Sequence, residues 1–409
     1  MSESRTSTRP RGSAAPRRAS AAMESVRQVL ARPLASYQLV LGLTAILLGL
    51  GLIMVLSASS VFALRTYGDS FYIAIRQVIF AALGVVGFLI VLRMPLSKLR
   101  MLIRPVLLIV VVLIGLTFTP LGLEINGNRN WLPLFGGFNL QPSELAKLVL
   151  VLWIADLYDR RHKYLGTPRY ILTPMLPVAG AVAAMVVAQD DLGTALVLFA
   201  VIVGMLWVAG LPARYMWFLG LVIGVVSVFF VATAPHRVTR MLSFLDPTAD
   251  PEGAGHQSIK AMMAFARGGF GGVGLGQSRQ KWGALPEAHN DFILAVIGEE
   301  LGLAGTLVLL ALFVMLGFVG FRIAMRARDR FARYTAAGIT IWLLSQAIIN
   351  VGMVVGLLPV IGIPLPLISY GGSSLLATLV GLGFLAKCAT TEPGAARALA
   401  TSRRRKAAV

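Results

Sequence analysis

The stretch Leu285-Pro286-Glu287-Ala288-His289-Asn290-Asp291-Phe292-Ile293 places a carboxylate, Asp291, where a long polar connection gives way to a long apolar run. A carboxylate in the first turn of a helix is favoured as the anion by the helix dipole. Partial burial acts in the opposite sense, and a carboxyl raised toward working pH can take a proton from a hydroxyl. Asp291 is therefore a candidate general base, with helix capping as the plain alternative. Glu287 and His289 stand close to it, but their spacing matches no recognised zinc pattern and the chain has only four histidines. A dedicated metal site is not expected.

Other charged residues stand out by their surroundings. Glu144 and Lys147 lie three apart in an apolar segment, so they share a helix face and can pair, either as a structural ion pair or as groups that hold an anionic substrate. Asp190-Asp191 falls in a tight turn, where capping the helix that starts at Leu192 is the simplest role. Glu299 and Glu300 lie two turns or more beyond Asp291 and are expected to be structural or to line a cavity. Gly269-Phe270-Gly271-Gly272-Val273-Gly274 satisfies a dinucleotide-binding pattern, but no strand precedes it and no helix with a ribose-binding acid follows. Its glycines are expected to let a loop backbone approach a neighbour closely.

The elements that must position these residues are membrane helices. Hydrophobic residues make up 57% of the 409 and charged residues only 13%, and the mean hydropathy is +0.78. Several runs reach the roughly 18 to 20 residues needed to cross a bilayer. The reading is an all-α polytopic membrane protein with about ten transmembrane helices, near 38–57, 73–92, 104–120, 143–158, 171–188, 192–209, 214–233, 291–318, 333–353 and 373–389. The net charge of +19 is topogenic charge, not a nucleic-acid footprint, because most of the 37 Lys and Arg residues fall in the two tails and in the connections on the tails' side. That bias puts both termini in the cytoplasm. Residues 1–36 read as a disordered basic tail, 37–390 as the membrane domain and 391–409 as a second basic tail. The single cysteine, Cys388, excludes an intramolecular disulfide.

Two regions on the opposite, outer side exceed simple connectors. Leu121 to Pro142 carries turn formers around Asn126-Gly127-Asn128-Arg129-Asn130-Trp131 and Gly136-Gly137. The connection 234–290, between the seventh and eighth spans, contains Ile259, Met262, Met263 and Ala266 at helical spacing. That stripe predicts an amphipathic helix, resting either at the membrane interface or on the bundle.

The run from Gly356 to Ser374, with Pro359, Pro364, Pro366, Ser369-Tyr370-Gly371-Gly372 and the preceding Asn350, resembles the signature of the SEDS family (shape, elongation, division and sporulation proteins). Gln141-Pro142-Ser143-Glu144-Leu145-Ala146-Lys147, Asp191-Leu192-Gly193-Thr194-Ala195 and Leu285 through Gly302 resemble further family motifs in the right order. Met54-Val55-Leu56-Ser57-Ala58-Ser59 and the long N-terminal tail are more like the division branch than the elongation branch. Three positions depart from the usual pattern: Asn130 where arginine often precedes the loop tryptophan, Asp190 where proline is usual, and Asn290 where threonine is usual.

The resemblance implies a ten-helix peptidoglycan glycosyltransferase that polymerises lipid II, a disaccharide-pentapeptide on undecaprenyl pyrophosphate. It implies Asp291 as the catalytic residue and, as partners, a class B penicillin-binding protein and other division proteins, with no nucleic acid. Substrate contacts are expected from Lys147, Glu144, Arg129, Trp131, Glu287, His289, Ser369, Gly371 and Gly372. No cofactor is firmly implied, although a divalent cation can travel on the lipid pyrophosphate. The rival readings are a lipid II transporter, drawn from the proline-rich breaks at Pro359, Pro364 and Pro366, and a non-enzymatic division scaffold.

Overall fold

The structure is a computed structural model that describes residues 32–398, apart from 126–127, 135–136, 234, 254, 284 and 396. Most of both predicted tails, together with Asn126, Gly127 and Gly136 of the turn-rich segment, lies outside the described residues. Ten long helices form the bundle: α1 (Ala35–Tyr67), α2 (Tyr72–Arg93), α3 (Leu96–Thr117), α4 (Pro142–Arg160), α5 (Pro168–Ala188), α6 (Leu192–Val208), α7 (Ala213–Ala232), α10 (Ile293–Arg326), α11 (Arg330–Val354) and α12 (Gly372–Ala389). Seven of them are long and apolar enough to cross a membrane, while α6 and the apolar part of α7 are shorter. The chain is a multi-pass, predominantly helical membrane protein.

Burial separates inner from outer helices. α12 packs against α2, α11 and α4, and α11 against α10, α4 and α6. α4 keeps Glu144, Lys147 and Asp156 buried. Charges inside a membrane protein face other helices rather than lipid, because hydrocarbon cannot solvate them. At the other extreme is α7, whose Trp217 is 80% exposed and whose Phe218, Val228 and Phe229 also point outward. Its described face belongs to lipid.

The observed elements outrun the hydropathy in four places. α1 runs to Tyr67, about 50 Å at the helical rise, and stops at Gly68, whose left-handed φ of 76° lets its N–H reach the Leu64 carbonyl. α3 starts at Leu96, earlier than expected, directly after Pro95. The Leu121–Pro142 region is a small antiparallel sheet of β1 (Leu123–Ile125), β2 (Asn128–Pro133) and β3 (Asn139–Leu140), with Leu123 opposite Trp131 and Leu132 opposite Leu140. The long connection holds two helices, α8 (Pro235–Leu245) and α9 (His256–Gly268).

α9 answers the amphipathic prediction with a twist. Its buried face is Ala261, Ala264 and Gly268, set on α10, whereas Met262 and Met263 of the predicted stripe are exposed. Small residues bring the two backbones together, with the Gly268 Cα close to the Gly298 carbonyl.

Beyond that contact α10 breaks at Gly302 (φ 68°, ψ −168°). A break within an apolar helix strands backbone donors and acceptors, which must find partners away from lipid. The glycine-rich strap provides them. Val273 N–H and Gly274 N–H donate to the carbonyls of Glu299 and Glu300 at 3.0 Å, and Leu303 N–H and Ala304 N–H donate to those of Gly269 and Phe270 at 2.9 and 3.1 Å. A Cβ on Gly272 would stand 2.2 Å from the Glu300 carbonyl oxygen, which explains the glycine. The dinucleotide-like pattern is thus a backbone clasp on a broken helix.

Candidate active site

One end of the bundle collects the motif residues. The chain from Glu287 to Phe292 turns tightly before α10: Asn290 N–H and Phe292 N–H both donate to the Glu287 carbonyl, and Glu287 sits at φ 54°, a costly conformation for a side-chain-bearing residue. The cap of α10 is Phe292 with no side-chain hydrogen bond. Asp291 is therefore not a helix cap. Asn350, fully buried on α11, holds its backbone by donating from Nδ2 to the Asp291 carbonyl at 2.8 Å and to the Ile363 carbonyl at 2.6 Å.

The Asp291 carboxylate itself accepts no hydrogen bond from the described residues. It leans on the backbone of Gly362, where a Cβ would come within 3.2 Å of its Oδ2. Burial, followed by the nearby charges of Glu287, Asp191 and Glu144, pushes its pKa up to about 7. Each of those carboxylates disfavours a further negative charge. His289, two residues away, is held below the usual histidine range by burial, against the opposing pull of Glu287. Its ring stacks on Phe62 at 5.1 Å and tilts toward Tyr370 at 5.7 Å, and its carbonyl accepts from Tyr370 N–H.

Around this carboxylate lie three supports. Asp191 caps α6 through Thr194 N–H at 3.0 Å, and its other oxygen accepts from Gln141 Nε2, Asn130 Nδ2 and Ser143 Oγ. Asp190 next to it takes φ 64°, which a proline ring cannot. Glu144 and Lys147 pair at 2.6 Å, and the Lys147 ammonium also donates to Gln346 Oε1 at 2.9 Å. Gln346 in turn donates to the Pro364 carbonyl. Ser369 closes the 365–369 turn, accepting from Leu365 N–H through Oγ and from Gln77 Nε2 through its carbonyl.

The expected substrate contacts divide accordingly. Glu287, His289 and Glu144 surround Asp291, and Gly371 and Gly372 open α12 beside α2. Lys147 is only 1% exposed and paired with Glu144, so its charge is met inside the bundle. Arg129 points outward from β2 and is spent on the carbonyls of Thr119 and Gly122. The alternation of β2 explains this: Asn130 and Leu132 face inward while Arg129 faces out, with Trp131 half-buried. Asn130, at the position where family members often carry arginine, is the residue that reaches the site.

Sequence reasoning missed Asn350 and Gln346 as supports and Gly362 as the surface under Asp291. A buried amide in an apolar helix was the available signal for the first two, since such a group must find partners. Among the described residues, no three His, Cys, Asp or Glu side chains converge in a way that holds a metal ion.

Known proteins match the chain over most of its length. The model of the cell cycle protein family that spans FtsW, RodA and SpoVE matches residues 37–393. A probable peptidoglycan glycosyltransferase FtsW of Mycobacterium tuberculosis is 43% identical over 376 residues, covering 91% of this chain and 71% of the relative. The stage V sporulation protein E of Bacillus subtilis is 40% identical, covering 84% of this chain and 94% of the relative. In three dimensions the chain is similar to one from a peptidoglycan synthase complex whose structure addresses the coordination of polymerization and crosslinking, with TM-score 0.68, 28% identity and coverage of 86% and 97%. It is also similar to the rod shape determining protein RodA of Thermus thermophilus, with TM-score 0.60, 26% identity and coverage of 86% and 96%. With the family motifs gathered around Asp291 and these matches along nearly the whole described length, the chain belongs to the FtsW/RodA/SpoVE family of cell cycle proteins, the SEDS family.

Proposed function

We propose that this protein is a peptidoglycan glycosyltransferase that polymerises lipid II at the outer face of the cytoplasmic membrane during septal wall synthesis, with Asp291 as general base. The observation that carries the reading is a carboxylate free of hydrogen bonds, backed by three other carboxylates and held near neutral pKa. Such a group is half ionised at working pH and takes a proton at low cost.

The acceptor's GlcNAc 4-hydroxyl attacks the anomeric carbon of the donor. The new bond joins that oxygen to C1, the C1–oxygen bond to pyrophosphate breaks with its electron pair leaving on the lipid pyrophosphate, and the hydroxyl proton passes to Asp291. Asn350 and the Glu287 turn fix the base, while the Lys147–Glu144–Gln346 chain steadies the Pro364 segment beneath it. The excess of Lys and Arg in the tails and in the connections on their side supports cytoplasmic termini, with this end of the bundle outside. The similarity to a chain of a peptidoglycan synthase complex supports a class B penicillin-binding protein as partner.

The test is lipid II polymerisation by the purified protein, alone and with its penicillin-binding partner. Glycan strands are the expected product. Transfer of lipid II across vesicle membranes with no strands in either preparation would overturn the reading in favour of a transporter.

A further inference from the structure

Arg76 lies in the second turn of α2, half-buried and facing the same end of the bundle as Asp291. Its guanidinium donates to the Tyr72 hydroxyl at 3.0 Å and to the Gly137 carbonyl, and it rests over the rings of Phe138 and Tyr72 at 4.7 and 5.4 Å. All of these partners are neutral. Its Nε is buried and has no hydrogen-bond partner, and no Asp or Glu among the described residues pairs with it. Three other cations in the bundle are matched: Lys147 by Glu144, Lys281 by Glu300 and Arg100 by Asp156. A half-buried cation without a counter-charge, holding a spare donor, is an incomplete ion pair.

What surrounds Arg76 says which anion completes it. The neighbouring Gln77 accepts from Gly371 N–H and donates to the Ser369 carbonyl, tying α2 to the start of α12. Phe80, edge-on to Phe138, lies against Gly372. α12 opens there with no side-chain cap, so the N–H groups of its first turn present the positive end of the helix dipole. On the other side stands Tyr370, whose phenol is raised by burial and pulled down by the Arg76 charge, and whose ring meets His289, two residues from Asp291. A guanidinium beside an open helix N-terminus suits a phosphate with several oxygens.

We propose that Arg76, together with the first turn of α12, binds the pyrophosphate of the polyprenyl-linked sugar donor; the identity of that donor rests on the glycosyltransferase reading above. Arg76 then stabilises the charge that develops on the pyrophosphate as the C1–oxygen bond breaks. Unlike Lys147, Arg76 has no carboxylate partner among the described residues, and the loop between β2 and β3 holds it only through the Gly137 carbonyl and the Phe138 ring.

The experiment measures binding of farnesyl pyrophosphate to the full-length protein in zwitterionic nanodiscs, with farnesol, inorganic pyrophosphate and phosphatidylglycerol as competitors. Inorganic pyrophosphate is expected to compete and the other two are not. Arg76→Gln and Arg76→Lys are expected to weaken binding about ten- to hundredfold, the worth of a charge-assisted hydrogen bond. Arg76→Lys keeps the charge that the fold feels while losing the spare Nε–H, so it reads the site even where Arg76→Gln fails to fold. Unchanged affinity in folded Arg76→Lys, absence of wild-type binding, or displacement by phosphatidylglycerol, which marks a headgroup site, each overturns the proposal. Arg76-dependent binding in a protein that makes no strands would leave the site standing and the polymerase reading fallen; strands from a protein whose binding ignores Arg76 would do the reverse.

Discussion

Asn350 Nδ2 bridges the backbone carbonyls of Asp291 and Ile363, at 2.8 and 2.6 Å, and so joins the segment that bears the carboxylate to the segment on which the carboxylate leans. One amide sets the depth of Asp291. Replacing it leaves two carbonyls short of a donor in a buried place. Asn350→Ala is expected to cost about 1–3 kcal/mol of stability, seen as a lower melting temperature in detergent. It is also expected to lower kcat more than it raises KM, because the base is displaced rather than the substrate lost.

The pH dependence follows from the Asp291 pKa of about 7. A general base must be ionised, so polymerisation is expected to fall as pH drops through 7, with an acidic limb at that value in kcat/KM. Stability moves the other way. The folded pKa lies above the unfolded value of about 3.9, so the folded state binds the proton more tightly and loses stability as pH rises from about 4 to 7. Asp291→Asn removes the titration. Its melting temperature is expected to exceed that of wild type at pH 8, with the gap closing as pH falls toward 4.

Glu300 holds the strap from inside the bundle, accepting from Ser57 Oγ, Ser278 N–H and the Lys281 ammonium. Removing the carboxylate strands a buried cation. Glu300→Ala is expected to destabilise by about 3–5 kcal/mol, while Lys281→Met costs less because Ser57 and Ser278 still satisfy Glu300. Chemical or thermal unfolding of the two variants in parallel gives the order.

The clasp separates two glycines by their surroundings. Gly302→Ala puts a Cβ 2.3 Å from Gly272 N, in a left-handed conformation as well, and is expected to abolish folded protein. Gly269→Ala carries only the conformational cost, about 1–3 kcal/mol, since nothing lies within 4 Å of its Cβ. Yield of monodisperse protein in size-exclusion chromatography distinguishes them.

Much of this was legible in the sequence for a physical reason. Ten helices show as hydropathy because lipid demands apolar length, and Asp291 shows because a carboxylate at the edge of such a run is costly. The clasp was half legible: clustered glycines announce close backbone approach, but a lone Gly302 in an apolar run does not announce a break. The hairpin was hidden because its short strands are polar, and with it the fact that Asn130 faces in and Arg129 out. α8 escaped because eleven residues led by Pro235 and mixed with His, Arg, Thr and Ser fall below any hydropathy window. Partners far apart in sequence, such as Lys147 with Gln346 or Asn350 with Asp291, are set by packing alone.

Whether Asp291 takes the acceptor's proton is decided by lipid II polymerisation with wild type, Asp291→Asn and Asp291→Ala, each verified as folded and bound to its penicillin-binding partner. Wild type is expected to make strands and both variants to lose at least about a hundredfold, the usual worth of a general base. Normal strand synthesis by folded Asp291→Asn would contradict that role.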